Sequence, residues 1–345
     1  MAAQSLFERE AAQIPALVAQ QMDQAQGRLA QPLARLELFA PRLVATLARG
    51  SSSNAAALAG YAAGLSLGLP TAALPPSIAS VYGRTLHLER ALVLAISQSG
   101  ASPDLVISVR AARAAGALTV GLINESGSDL GRAVAFEIDI GAGSERAIAA
   151  TKTFVLSVTA VLHLIAMWSK DAMLTAALMH LPDVLERCAA VDWSPAAEML
   201  AGCAQAFVIG RGPAQPLARE LALKLAEVSG LLAEAQSAAE LLHGPISIAS
   251  PDMPAIVFAG DQHSAESVRQ ALAKLQVARA PTLLLAPESQ RADGGNVIHV
   301  PSARHELLQP LVSLVAMYPA LAHLARQRGR DPDRPPHLKK STRTC

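Results

Sequence analysis

Aromatic side chains are scarce: phenylalanine, tryptophan and tyrosine make up 3% of the 345 residues, although hydrophobic residues reach 51%. Alanine and leucine supply much of that apolar content, which suits a helix-rich α/β protein long enough for two domains, each with its own core. Charge of one sign is lacking as well. The formal net charge is +1, which gives no electrostatic footing for nucleic acid or an anionic membrane as a partner. The nearest approach to a charge run is the basic tail "HLKKSTR". Cysteine is limited to Cys188, Cys203 and Cys345, without a CxxC spacing. That excludes a disulfide framework and a zinc site, and points to a reducing cytoplasm. The opening "MAAQSLFERE" has acids where a signal peptide would be basic. The longest apolar run, "TFVLSVTAVLHLIAMW", falls short of the roughly 20 residues that span a bilayer and reads as a buried helix. Two nucleotide signatures are missing too. No GxxxxGK[ST] occurs, and "GAGSER" and "IGRGPA" lack the third glycine of GxGxxG. Any anion in the strand-to-helix turns would therefore be held without a P-loop lysine.

What is there is a repeated strand–turn–helix plan. The first forty residues read as helical, with a break at Pro15. "RLVATLARGSSSNAAALAGYAAGLSL" then reads as strand, Gly-Ser turn and Ala-rich helix. "ALVLAISQSGASPDLVISVRAARAAG" repeats the order, followed by the strands "ALTVGLIN" and "AVAFEIDIGAG". "ERCAAVDWSPAAEM" reads as a connection between domains. The programme then restarts with "AQAFVIGRGPAQPLARELALKLAEVS", "PAIVFAGDQHSAESVRQALAKL", "PTLLLAP" and "NVIHV". Strands alternating with helices predict parallel sheets with right-handed crossovers. The shared Arg49-Gly50 and Arg211-Gly212 turns suggest an internal duplication.

The turn "SQSGASPD" is the first chemical candidate. In parallel sheets, ligands sit beyond the carboxyl ends of strands, where helix N-termini point. Ser102 fits an N-cap, Pro103 the first helical position and Asp104 the first turn. The hydroxyls of Ser97, Ser99 and Ser102 and the Gln98 amide would add neutral donors to a helix start that favours anions. Gly50-Ser51-Ser52-Ser53 makes a second such turn. Ordinary polar turns have the same composition, and the residues alone leave both readings open.

The second candidate is "ELALKLAEVSGLLAEAQSAAELLHGP". Lys224 and Glu227 are three apart and share a helix face, and His243 ends a second helix before Gly244-Pro245. The cationic form of a histidine is favoured at a helix C-terminus, which suits proton donation. A solvated ladder of Glu220, Lys224 and Glu227 with a helix-end histidine fits the spacing equally well. The tail "RDPDRPPHLKKSTRTC" is by composition a frayed end, although its prolines stiffen it.

Together, "ARGSSS", "SQSGASPD", "ERAIAATKTF", "ELALKLAEVSGLLAEAQSAAELLHGP" and "PPHLKKS", in this order over nearly the whole chain, resemble the sugar isomerase (SIS) family. The likeness is strongest to the isomerase half of glucosamine-6-phosphate synthase. It implies two tandem SIS domains of α/β class, each a five-stranded parallel sheet flanked by helices in a flavodoxin-like three-layer sandwich. The implied divisions are a helical lead-in (1–30), a first domain with the phosphate loop (31–185), a second with the catalytic helix pair (195–328) and an active-site tail (329–345).

The resemblance also implies roles. Ser52, Ser97, Gln98, Ser99 and Ser102 would hold a hexose or hexosamine 6-phosphate. Glu227 would move a proton between C1 and C2, His243 would open the sugar ring from the neighbouring subunit of a homodimer, and Lys224 would lie close to the reacting carbons. Lys340 would form a Schiff base with the keto sugar, making the tail a lid. No metal and no cofactor are implied. Two departures stand out: Ala150 replaces a serine before "TK", and Cys345 replaces a terminal glutamate. No glutaminase half precedes the first domain, so the expected reaction is glucosamine-6-phosphate deamination. The alternatives are ammonia-dependent synthesis, a deglycase on a related sugar phosphate, and a non-catalytic sugar-phosphate sensor, the last disfavoured by the presence of Glu227, His243 and Lys340.

Overall fold

A computed structural model describes residues 4–290 and 296–340 and divides the chain into two compact units. The N-terminal unit comprises 16–145, 150–179 and the last described residues, Lys339 and Lys340. Its sheet is built from β1 (Leu43–Leu47), β2 (Thr71–Ala73), β3 (Ala91–Ser97), β4 (Leu118–Ile123) and β5 (Phe136–Asp139), in the order β2-β1-β3-β4-β5 and all parallel. Every residue of β3 and β4 is buried, as expected of strands covered on both faces and read from the near-continuous apolar runs "ALVLAIS" and "LTVGLI". The apolar run is longer as a helix than it reads in sequence: Lys152–Ser169 is 18 residues, enough by length and composition alone for a membrane span, but 83% of it is buried inside the structure. It packs on helix Gly50–Leu67, as a core helix of this unit.

The C-terminal unit comprises the described residues up to Pro15, 146–149 and 180–338. Its strands are β6 (Gln205–Gly210), β7 (Leu232–Ser237), β8 (Ala255–Phe258), β9 (Thr282–Pro287) and β10 (Asn296–Val300), in the order β10-β9-β8-β6-β7 and again all parallel. Counted within each unit, both sheets have the same doubly wound order, 2-1-3-4-5, the flavodoxin-like arrangement. The turn glycines after the two first strands also match in conformation: Gly50 has φ +54° and Gly212 φ +59°, the left-handed region that glycine enters without strain. The duplication read from element order is therefore repeated in topology and in turn geometry.

Two strands escape the sequence reading. β2 is only three residues long and lies at a sheet edge. β7 falls in the stretch read as leading into the second helix of the catalytic pair, and that helix shrinks to Ala238–Leu242. "LLAEAQS" has fair helix formers, yet residues 232–237 pair with all of β6. Tertiary pairing overrides local propensity at that edge.

Candidate active site

In a sheet of this order the crevice lies between the first and third strands, where the connections run in opposite directions. In the N-terminal unit the turns after β1 and β3 flank that point. Helix Gly50–Leu67 and helix Pro103–Ala114 both start there, and neither N-cap side chain, Arg49 or Ser102, makes a capping bond. Ser102 is the N-cap by conformation, and its hydroxyl makes no capping bond. The loop is held from within: Gly100 N–H donates to Ser97 Oγ at 3.1 Å, Ala101 N–H to Ser99 Oγ at 3.3 Å, and Glu125 N–H to the Gln98 carbonyl at 3.2 Å. Gly100 has φ +57°, and a Cβ there would lie 2.0 Å from Ser128 Oγ. Only glycine fits.

Ser52, Ser97, Gln98, Ser99 and Ser102 line one cavity of about 130 Å³ together with Arg49, Ile96, Leu105 and Lys340. All five residues of the proposed phosphate site thus meet in one place. Two cations join them, each tied to a buried carboxylate. Arg49 Nε and Nη2 donate to Asp104 Oδ2 at 2.9 and 2.7 Å, and Asp104 is fully buried. Lys340 Nζ donates to Glu145 Oε2 at 2.7 Å. Glu145 also accepts from Thr151 N–H (2.9 Å), Thr153 N–H (3.1 Å) and Thr153 Oγ (2.6 Å). Burial alone would raise the Glu145 carboxyl, but the Lys340 ammonium and the threonine donors outweigh it and hold the group below the usual carboxylate range. Arg49, Asp104 as its partner and Glu145 were not singled out from sequence. Ala150 lies half-buried just before Thr151 and Lys152, and Cys345 lies outside the described residues.

The tail is not frayed over its described length. Asp333 accepts from Leu6 N–H at 2.7 Å and Phe7 N–H at 2.9 Å within the C-terminal unit, and Lys340 is anchored in the N-terminal unit as described.

The C-terminal unit holds the other candidates. Helix Ala214–Lys224 runs into a π-helical turn, Leu225–Ser229, a widening of the helix that recurs at functional sites. Lys224 is 1% exposed; its Nζ lies 3.5 Å from Glu220 Oε1 and donates to Glu227 Oε2. Glu220 is fully buried and the Glu227 side chain is 23% exposed. A solvated ladder is excluded by that burial: a desolvated ammonium sits between two carboxylates, with only Glu227 reaching the surface. His243 stands exposed just past the five-residue helix, and its ring makes no hydrogen bond or ion pair among the described residues.

The turn after β8, in the place of the Ser97–Ser102 turn, carries a carboxylate of its own. Asp261 Oδ1 accepts from Ser264 N–H (2.8 Å), Ser264 Oγ (2.9 Å) and His263 N–H (2.8 Å). The start of helix Ala265–Val277 is thus supplied with a carboxylate from the turn itself, whereas after β3 the turn residues Ser97–Ser102 are neutral and the nearby carboxylate, Asp104, lies fully buried inside the helix.

The sequence profile of the SIS domain matches residues 37–167 and 199–326, one match for each sheet. The chain belongs to the SIS domain family. This SIS protein is 34% identical over 274 residues to a glutamine–fructose-6-phosphate aminotransferase (isomerizing) of Thermotoga maritima, covering 75% of the chain and 45% of the relative. It is 31% identical over 326 residues to the enzyme of that name from Symbiobacterium thermophilum, covering 90% and 53%. The chain therefore spans about half the length of these curated relatives. Among solved structures, a candidate phosphosugar isomerase from Silicibacter pomeroyi DSS-3 superimposes with a TM-score of 0.90 at 40% identity, covering 96% of this chain and 100% of that one. The C-terminal domain of glucosamine-fructose-6-phosphate aminotransferase from Francisella tularensis gives 0.87 at 22% identity, covering 96% and 99%, which is a likeness of fold.

Proposed function

We propose that this SIS protein is a cytoplasmic amino-sugar phosphate isomerase that deaminates glucosamine 6-phosphate to fructose 6-phosphate and ammonia. The observation that carries the reading is the cavity at the switch point of the first sheet, where four serines and a glutamine surround an anion-sized space with Lys340 on its wall.

The phosphate is seated by the hydroxyls, the Gln98 amide and the open helix starts. His243, contributed by the second subunit of a homodimer, assists opening of the pyranose ring. Glu227 takes the proton from C2 and returns it to C1. Its carboxylate is held by Lys224, and Lys224 in turn by Glu220. With a proton passed from the amino nitrogen to the C1 oxygen, the sugar then carries a hydroxyl at C1 and an imine at C2. Lys340, released from Glu145 as the free amine, adds to C2 and displaces ammonia; water hydrolyses the resulting iminium to the ketose and regenerates the lysine.

The test is a substrate panel with purified protein in which ammonia and ketose phosphate are followed together. Equal release of both from glucosamine 6-phosphate is expected. Sugar-phosphate binding with no turnover of any panel member would make the protein a sensor instead. The kinship to aminotransferases supports one second reading, ammonia-dependent synthesis, which the same assay detects as consumption of ammonia with fructose 6-phosphate.

A further inference from the structure

The neutral turn leaves unanswered how a phosphate dianion is compensated. We infer that Arg49 is a phosphate-binding residue of this cavity, preorganised by the buried carboxylate of Asp104. The inference rests on the proposed function only in taking the cavity as the seat of a phosphate.

Arg49 occupies the last position before helix Gly50–Leu67 and lines the cavity beside Ser52, Ser97 and Ser102. Its side chain is 49% exposed, so the guanidinium is reachable from solvent. A half-exposed arginine ordinarily samples many rotamers and loses that freedom on binding. Here the freedom is already spent. Nε and Nη2 both donate to one oxygen, Asp104 Oδ2, while Oδ1 is occupied by Leu105 N–H at 2.8 Å. Of the guanidinium's five N–H donors, these two bonds use one edge and leave the others for a second anion, in the planar fork that suits phosphate oxygens. Asp104 is fully buried and does not line the cavity, whereas Arg49 does. A ligand in that space therefore meets the cation and not the carboxylate.

The second unit is an internal control. Arg211 stands at the same turn position, but among the described residues its guanidinium bonds only the Ser237 hydroxyl, at 3.2 Å, and no buried acid fixes it. That unit is also the one whose next turn supplies its own carboxylate, Asp261. The arginine is clamped where the turn is open to an anion and left loose where the turn is closed to one.

Inorganic phosphate is the probe, titrated calorimetrically into the full chain. Arg49→Ala should weaken phosphate binding by about ten- to a hundredfold, the range for losing a hydrogen bond between charged groups. Arg49→Lys should recover part of the loss, because it restores the charge without the fork. With glucosamine 6-phosphate, Arg49→Ala should raise KM by a similar factor and leave kcat within about threefold, as removal of uniform binding does. Should the single variant fail to fold with Asp104 left unpaired, Arg49→Ala/Asp104→Asn removes both charges and should show the same weak phosphate binding. Phosphate affinity within about twofold of wild type in the folded variant overturns the inference, as does a wild-type protein that binds no phosphate. Wild-type protein that binds phosphate through Arg49 yet releases no ammonia would refute the proposed reaction and leave the role of Arg49 standing.

Discussion

The ammonium of Lys340 lies 2.7 Å from Oε2 of Glu145, a carboxylate buried in the protein and supplied with three further donors from Thr151 and Thr153. A lysine that attacks a carbonyl must be a free amine, so this pair is the resting arrangement of the proposed nucleophile and has to open during turnover. Lys340→Ala should abolish borohydride trapping of fructose 6-phosphate on the protein; undiminished trapping would assign the Schiff base to a different lysine. Glu145→Gln keeps the size of the partner and removes its charge. It should slow trapping by about tenfold without abolishing it, the lower end of what loss of an outer-shell partner does. An unchanged rate would show that Glu145 does not position the amine.

The same pair gives the stability of the fold a pH dependence of definite sign. Burial raises Glu145, but Lys340 and the threonine donors more than reverse this; burial likewise raises Glu8, and its bonds to Arg326 and Ser5 reverse it. Both carboxyls are thus held below their ordinary value of 4.5. A carboxyl depressed on folding stabilises the protein above its unfolded value, and that contribution is lost as pH falls through the depressed folded value. The urea midpoint should therefore hold level above about pH 5.5 and fall as the solution is taken below 4.5. Glu145→Gln should flatten that fall; a midpoint rising with acidity would contradict it.

Between Lys224 and its two acids, catalysis and stability can be separated. Glu227→Gln should retain sugar-phosphate binding and lose turnover by about 10²–10⁴-fold, the share of a positioned general base. A normal kcat in that variant rules Glu227 out as the base. Lys224→Met, by contrast, removes the ammonium 3.5 Å from the fully buried Glu220. Breaking a buried pair from one side costs about 3–5 kcal/mol. Adding Glu220→Gln should recover part of the loss, as read by denaturant titration of both variants, because a neutral amide replaces a buried carboxylate that has lost the ammonium beside it.

What the sequence disclosed follows the range of the interactions involved. The turn after β3 was legible because its determinants are local: an apolar run, hydroxyls at the turn, then Ser-Pro-Asp at a helix start. Ser97 through Ser102 accordingly meet in one cavity. Lys340 was reached only through the family resemblance, and Arg49 was not recognised as part of the site, since Arg49 is 55 positions from Asp104 and Lys340 is 195 from Glu145. Nothing in local spacing joins those partners. Nor does spacing carry burial. Glu220, Lys224 and Glu227 have the same i, i+4 and i+3 pattern whether solvated or, as found, desolvated. β7 was hidden for a related reason, since its residues become a strand only through pairing with β6.

Gly100 ties the phosphate turn to its neighbour in a way that isolates one effect from another. Its backbone is left-handed, its carbonyl accepts from Leu130 N–H at 2.9 Å, and an added Cβ would meet Ser128, the residue that caps helix Asp129–Ala133. Gly127 is also left-handed, at φ +69°, but a Cβ there meets nothing within 4 Å. Gly127→Ala should therefore cost only the backbone strain, about 1–2 kcal/mol, and leave inorganic phosphate binding unchanged. Gly100→Ala adds the collision, so either the turn or the short helix must move. It should destabilise further and weaken phosphate binding by about tenfold or more, since a preorganised turn loses affinity when its donors shift. Equal phosphate affinities in the two variants would mean that the Ser97–Ser102 turn does not seat the anion.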